Sequence, residues 1–142
     1  MPHYLVVANQ TLGGDHLLDE VRDCLREGGC RFHIVVPATE PRDHAVTTEG
    51  EARALAQGRL DRALARFRDL GAEADGEVGD ERPMDAIRDA LRGRDFDGII
   101  LSTLPPRISQ WLGQDLPHRV EREFGLPVRH VVGRAEPAGP RS

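Results

Sequence analysis

Lysine is absent from this chain, and all 19 basic residues are arginine. That excludes a phosphate-binding lysine and a Schiff-base lysine, since arginine stays protonated and cannot act as an amine nucleophile. Cysteine is scarce. Cys24 and Cys30 are too few for a disulfide scaffold or a metal cluster. No apolar run approaches the length that spans a membrane, and the start, MPHYLVVANQ, has neither a basic leader region nor a cleavage site. A cytoplasmic protein with no membrane partner is expected. A formal net charge of −5 and a pI near 5.7 speak against a nucleic-acid surface. The arginines alternate with acids, as in Arg22-Asp23 and Arg88-Asp89, which is the pattern of a solvated helix face.

What is present is a regular alternation of strand and helix signals. His3 to Ala8 (HYLVVA) is a short apolar run, as expected of a strand covered on both faces. Asp15 to Glu27 places Leu17, Leu18, Val21, Cys24 and Leu25 on one helical stripe, stopped by Gly28-Gly29. Arg31 to Val36 is a second strand, ended by Pro37. Residues 38 to 47 read as a polar loop, and Thr48-Glu49-Gly50-Glu51 has the spacing of a capping box. The helix it opens is expected to bury Ala52, Leu55, Ala56, Leu60, Ala63, Leu64 and Phe67 and to end at Gly71. Ala72 to Val78 is polar and carries an internal glycine, so it is expected at a sheet edge.

Pro83 opens a third helix over Met84 to Arg92, with Ala86, Ile87, Ala90 and Leu91 inward. Gly98 to Thr103 (GIILST) is the fourth strand. Asp115 is placed to cap a helix bearing Leu116, Val120 and Phe124, which Gly125 stops. Val128 to Gly133 is the fifth strand. The expected fold class is α/β: a five-stranded parallel sheet with helices on both faces, joined by right-handed crossovers. One domain over residues 1–134 is expected, with a disordered tail over 135–142. In a doubly wound sheet a ligand crevice lies where the winding reverses, and the loops Asn9 to Gly14 and Ser102 to Asp115 are expected to meet there.

The order of elements over Tyr4 to Gly133, the strand HIVVP (His33 to Pro37), the strand IILST and the ending REFGLPVRHVV resemble the universal stress protein family. The resemblance implies a Rossmann-like fold of the adenine nucleotide alpha hydrolase type. ATP-binding members carry Gly-x-x-Gly, then nine residues, then Gly followed by Ser or Thr. The equivalent positions here hold Leu101, Leu104, Gln114 and Asp115, and Asn9 stands where those members end the first strand with an acidic residue. Glycines let a backbone present bare amides to phosphate oxygens. Leu104 and Pro105-Pro106 fill that space and remove two donors, while Asp115 would set a carboxylate where the anion should lie.

The expected function is therefore a non-catalytic binding or regulatory domain, with no cofactor and no ATP bound in the usual way. The alternative is a nucleotide (ATP or AMP) or another small anionic metabolite in the crevice, using Asn9, the Val36 region, Ser102, Thr103, Arg107 and Asp115. Trp111 is expected to pack a short helical turn rather than stack on a ligand. His118 has no partners suited to a metal, and His33 reads as a hydrogen-bonded core histidine. The sequence has no Gly-x-Ser-x-Gly elbow, and neither Ser102 nor Ser109 has an identifiable base, so no catalytic residue is assigned. The resemblance also implies a homodimer paired through the last strand, at Val128, Arg129, His130, Val131 and Val132.

Overall fold

The structure is a computed structural model and describes residues 2–38 and 49–133. The expected loop over 39–47, the capping threonine at 48 and the tail beyond 133 lie outside the described residues. In chain order the elements are β1 (His3–Val7), α1 (Asp15–Arg26), β2 (Arg31–Pro37), α2 (Glu49–Asp69), β3 (Glu73–Gly79), α3 (Pro83–Leu91), β4 (Gly98–Thr103), α4 (Gln110–Gly113), α5 (Leu116–Phe124) and β5 (Val128–Val132). The strands form one five-stranded sheet in the order β3-β2-β1-β4-β5, with every neighbouring pair parallel. β3 is at one edge, as its polar alternation implied, and β5 is at the other.

Side chains alternate across the sheet and build two cores. On one face Val6, Ala8, Phe32, Ile34 and Ile100 pack with α1 and α2 through Leu17, Val21, Leu60 and Phe67. On the other Leu5, Val7, Val35, Ile99 and Leu101 pack with Ala86, Ile87, Trp111, Leu116 and Val120 from α3, α4 and α5. Strands covered on both sides explain why β1, β2 and β4 read as unbroken apolar runs. Trp111, 8% exposed, holds the short α4 against the second core, as its expected packing role required.

The helices stop where a residue without Cβ can turn the chain left-handed: Gly71 at φ 92° after α2 and Gly125 at φ 67° after α5. Gly76 has a different task. A Cβ there would stand 2.6 Å from the Ile34 carbonyl oxygen and 2.6 Å from Leu60 Cδ1, so only glycine lets β3 lie this close to β2 and α2.

Three local expectations need correcting. Leu55 is 40% exposed rather than buried, because the contact stripe of α2 runs through Ala52, Ala56, Leu60, Ala63 and Phe67 and Leu55 falls on its margin. β2 continues through Pro37, which pairs with Gly79 at the strand end, where its missing amide costs little. Asp115 stands at the N-cap of α5 but in the left-handed region, at φ 56°, and its side chain makes no capping bond; its carboxylate meets His118 Nδ1 at 2.8 Å instead. Both thiols are buried and free. Burial first, and then the neighbouring Cys30, pushes the Cys24 thiol up to about 12, so it packs as a small apolar group and not as a nucleophile.

Candidate functional site

In the order β3-β2-β1-β4-β5 the winding reverses between β1 and β4, which places the crevice at their carboxyl ends. The loops after these strands do meet there. The hydroxyls of Thr11 and Ser102, 91 residues apart in sequence, share a 2.6 Å hydrogen bond and are 2% and 1% exposed. The Gly133 amide donates to the Thr103 carbonyl at 2.8 Å. A Cβ on Gly133 would lie 3.6 Å from Thr11 Cβ, so the end of β5 closes over the same place.

Each residue singled out in the sequence has a definite position here. Asn9 is buried; its Nδ2 donates to the Pro37 carbonyl at 2.7 Å, and its Oδ1 accepts from Arg59 at 2.5 Å. Thr103, 2% exposed, shares a 2.7 Å hydrogen bond with His130 Nε2 across to β5. Burial alone holds the His130 imidazole below its ordinary range, so the ring is uncharged at neutral pH. The Val36 side chain is fully buried in the α1–α2 core. Arg107 is exposed on the loop after β4 and makes no side-chain hydrogen bond or ion pair with another described residue. Asp115 lies on the surface beside His118. The fold therefore brings Asn9, Ser102 and Thr103 to one end of the sheet, and it gives Arg107 and Asp115 no bond to them.

Sequence reasoning missed Arg59 and the paired role of Thr11. Arg59 is one arginine among several on a long helix, and Thr11 looked like a turn residue. Neither carries a local signal, because each partner arrives from elsewhere in the chain.

Six amides of the loop after β4 are donated within the loop itself. Those of Ile108 and Ser109 both donate to the Pro105 carbonyl at 3.0 Å, and that of Leu112 to Ser109 Oγ at 3.1 Å. The amides of Gly113, Gln114 and Asp115 donate to the carbonyls of Ser109, Trp111 and Leu112. Pro105 and Pro106 have none to offer. Among the described residues no group of three or more His, Cys, Asp and Glu is arranged to hold a metal ion, and no helix is long and apolar enough to cross a membrane.

The Thr11–Ser102 pair yields a thermodynamic cycle. Ser102→Ala leaves a buried threonine hydroxyl without its partner and is expected to cost about 1–3 kcal/mol. Adding Thr11→Val removes the orphan, so the double variant is expected to be more stable than the Ser102→Ala single. Urea unfolding of the three variants checks this. Additive losses would mean that the hydroxyls do not depend on one another.

No protein-family model and no curated protein matches this sequence. Solved structures do. The universal stress protein from Archaeoglobus fulgidus superposes with a TM-score of 0.62 at 19% identity, covering 92% of this chain and 93% of that one. A structure of the universal stress protein from Archaeoglobus fulgidus in complex with dAMP gives a TM-score of 0.61 at 20% identity, covering 92% of this chain and 97% of that one. With its parallel sheet and two helical layers, the chain has the fold of the universal stress proteins.

Proposed function

We propose that this chain is a non-catalytic binding or regulatory domain of the universal stress type, whose crevice does not hold ATP through a loop of bare amides. The observation that carries the reading is the internal commitment of the loop after β4. A polyphosphate needs several amides converging on its oxygens, and those of Ile108, Ser109, Leu112, Gly113, Gln114 and Asp115 are already donated within the loop. Thr11, Ser102, Thr103 and Asn9 are likewise bonded to protein groups, so a ligand would have to displace those bonds.

A second reading keeps a nucleoside monophosphate or a similar small anion in the crevice. It is favoured by the dAMP complex of the Archaeoglobus fulgidus protein and by the Arg107 guanidinium, which has no partner among the described residues and suits a single phosphate or carboxylate. Calorimetric titration with ATP, AMP, dAMP and cyclic AMP separates the readings, backed by mass spectrometry of small molecules released from the purified protein. Silence from all four nucleotides agrees with the first reading. AMP or dAMP binding that vanishes in Arg107→Ala establishes the second. ATP binding unaffected by that substitution overturns both.

The same reading includes a homodimer through β5. That strand is a sheet edge, and Val132 is 40% exposed on it. The Pro127 carbonyl and the Gly133 amide bond toward β4, so by alternation the main-chain groups of Val128, His130 and Val132 point outward, ready to extend the sheet. Sedimentation equilibrium is expected to give a dimer; a monomer at micromolar concentration removes this part of the proposal.

A further inference from the structure

The amino ends of β1, β2 and β3 lie at the opposite end of the sheet from the crevice, and they are polar. On the face that carries Val35, α3 covers only the carboxyl half of β2 and β3, where Gly79 meets Ala86. The amino half is left to the connection between α3 and β4, which brings Arg94 and Phe96 over it. Phe96 lies against the His3 ring at 4.5 Å and the His33 ring at 6.2 Å. A cavity of about 240 Å³ opens there, lined by His3, Arg31, Glu73, Asp75 and Arg94 among others.

The charges of this end divide into two groups. One is closed: His33, 2% exposed, meets Asp75 at 2.8 Å and Glu77 at 2.7 Å, and Arg94 meets Asp75 at 3.2 Å. The other is open. Arg31 and Glu73 are register partners on adjacent strands and both are exposed, yet neither side chain forms a hydrogen bond or ion pair with any described residue. Burial first, and then the charge of Arg31, hold the His3 imidazole below its ordinary range, so the ring lines the cavity uncharged at neutral pH. The cavity thus presents one cation and one anion without a partner among the described residues, on adjacent strands whose backbones lie roughly 4.8 Å apart.

We propose that this cavity binds a small zwitterion, a free α-amino acid, with its carboxylate on the Arg31 fork and its ammonium on Glu73. An amino acid carries both charges on groups attached to one carbon, which suits two opposite side chains that stand on adjacent strands. A lone anion would leave Glu73 repelling it, and a lone cation would leave Arg31 doing the same. Size points the same way: the cavity falls below the roughly 300–1,000 Å³ of sites for drug-sized ligands, which leaves room for an amino acid and not for a nucleotide.

The test uses the whole protein, labelled with 15N, and each of the common amino acids in turn, with propionate and ethylamine as probes bearing one charge. At least one amino acid is expected to shift the amides around Arg31 and Glu73 at millimolar concentration and to leave those around Ser102 unmoved. Arg31→Gln and Glu73→Gln are each expected to weaken that binding about tenfold or more. Both residues are exposed, so the unfolding midpoint is expected to hold. The proposal is overturned if no amino acid shifts these amides, if propionate or ethylamine binds as tightly as the amino acid of the same size, or if both variants bind normally.

Discussion

Phe67→Ala is expected to lower the unfolding free energy by about 3–5 kcal/mol, the range for truncating a fully buried phenylalanine. Phe67 is 0% exposed and meets Phe32 edge-on, at 5.6 Å between ring centres and 81° between planes. Its position explains why the cost should reach the upper part of that range. The stripe by which α2 grips the sheet consists of Ala52, Ala56 and Ala63 apart from Leu60 and Phe67. Alanines have no side-chain length with which to fill the void that Phe67 would leave. Phe67 also anchors the turn into β3, since its carbonyl accepts the Ala72 amide at 3.0 Å.

The Phe67 ring shares the attachment of the edge strand to α2 with Leu60, which lies against Gly76, and with Arg68, which bonds the Ala74 carbonyl at 2.9 Å; the β3 amides are expected to lose hydrogen-exchange protection before those of β1 and β4. Phe67→Leu, which keeps most of the volume, is expected to cost under about 1.5 kcal/mol. Guanidinium unfolding at constant slope reads both values. An alanine variant within about 1 kcal/mol of the parent would show that α2 is not seated on the sheet as described.

The fold was legible because its signals are local. An unbroken apolar run marks a strand covered on both faces, and GIILST gave the bounds of β4 to the residue. Glycines after the helical stripes marked the stops at Gly71 and Gly125. Leu55 was misplaced because a helical stripe has a margin whose burial depends on the curvature of the surface beneath it, and that surface is assembled from other strands. The crevice was legible only in part. Strand alternation and the reversal of winding predict which two loops meet. They do not predict that Thr11 bonds Ser102, that Thr103 bonds His130 or that Arg59 reaches Asn9. Those pairs depend on strand order and register, which leave no trace in the spacing of residues.

Asp115 shows the limit from another side. Its residue type is that of a helix cap, but the left-handed backbone at this position turns its carboxylate away from the free amides of α5 and toward His118. The carboxylates of β3 are a further case. Glu73, Asp75 and Glu77 gave only the polar alternation of an edge strand, whereas two of them are the partners of a buried histidine.

That histidine carries the second large effect. His33→Leu is expected to destabilise the protein by about 2 kcal/mol at pH 7. Leucine keeps most of the buried volume, so the loss is chiefly that of the ring's polar contacts with Asp75 and Glu77, where a hydrogen bond to a charged group is worth roughly 1.5–3 kcal/mol net when well shielded. The two carboxylates are 58% and 44% exposed, so water restores part of what is lost, and the total stays below the cost of breaking a fully buried pair.

The pH dependence follows from Asp75. Burial pushes its carboxyl up, but hydrogen bonds from His33 and Arg94 outweigh that and hold it below its ordinary value of 3.8. A carboxyl whose folded value is depressed stabilises the protein above the unfolded value, and that stability is lost as pH falls through the lower folded one. Without His33 only Arg94 remains to hold Asp75 down, so its carboxyl moves back up. The gap between the parent and His33→Leu is therefore expected to be full above about pH 5 and to narrow as the pH drops below about 4. Unfolding midpoints across that interval, with the Asp75 carboxyl followed by NMR in both proteins, decide the matter. A gap that stays constant to pH 2, or an Asp75 that titrates identically in the two, would mean that His33 holds β3 by packing alone.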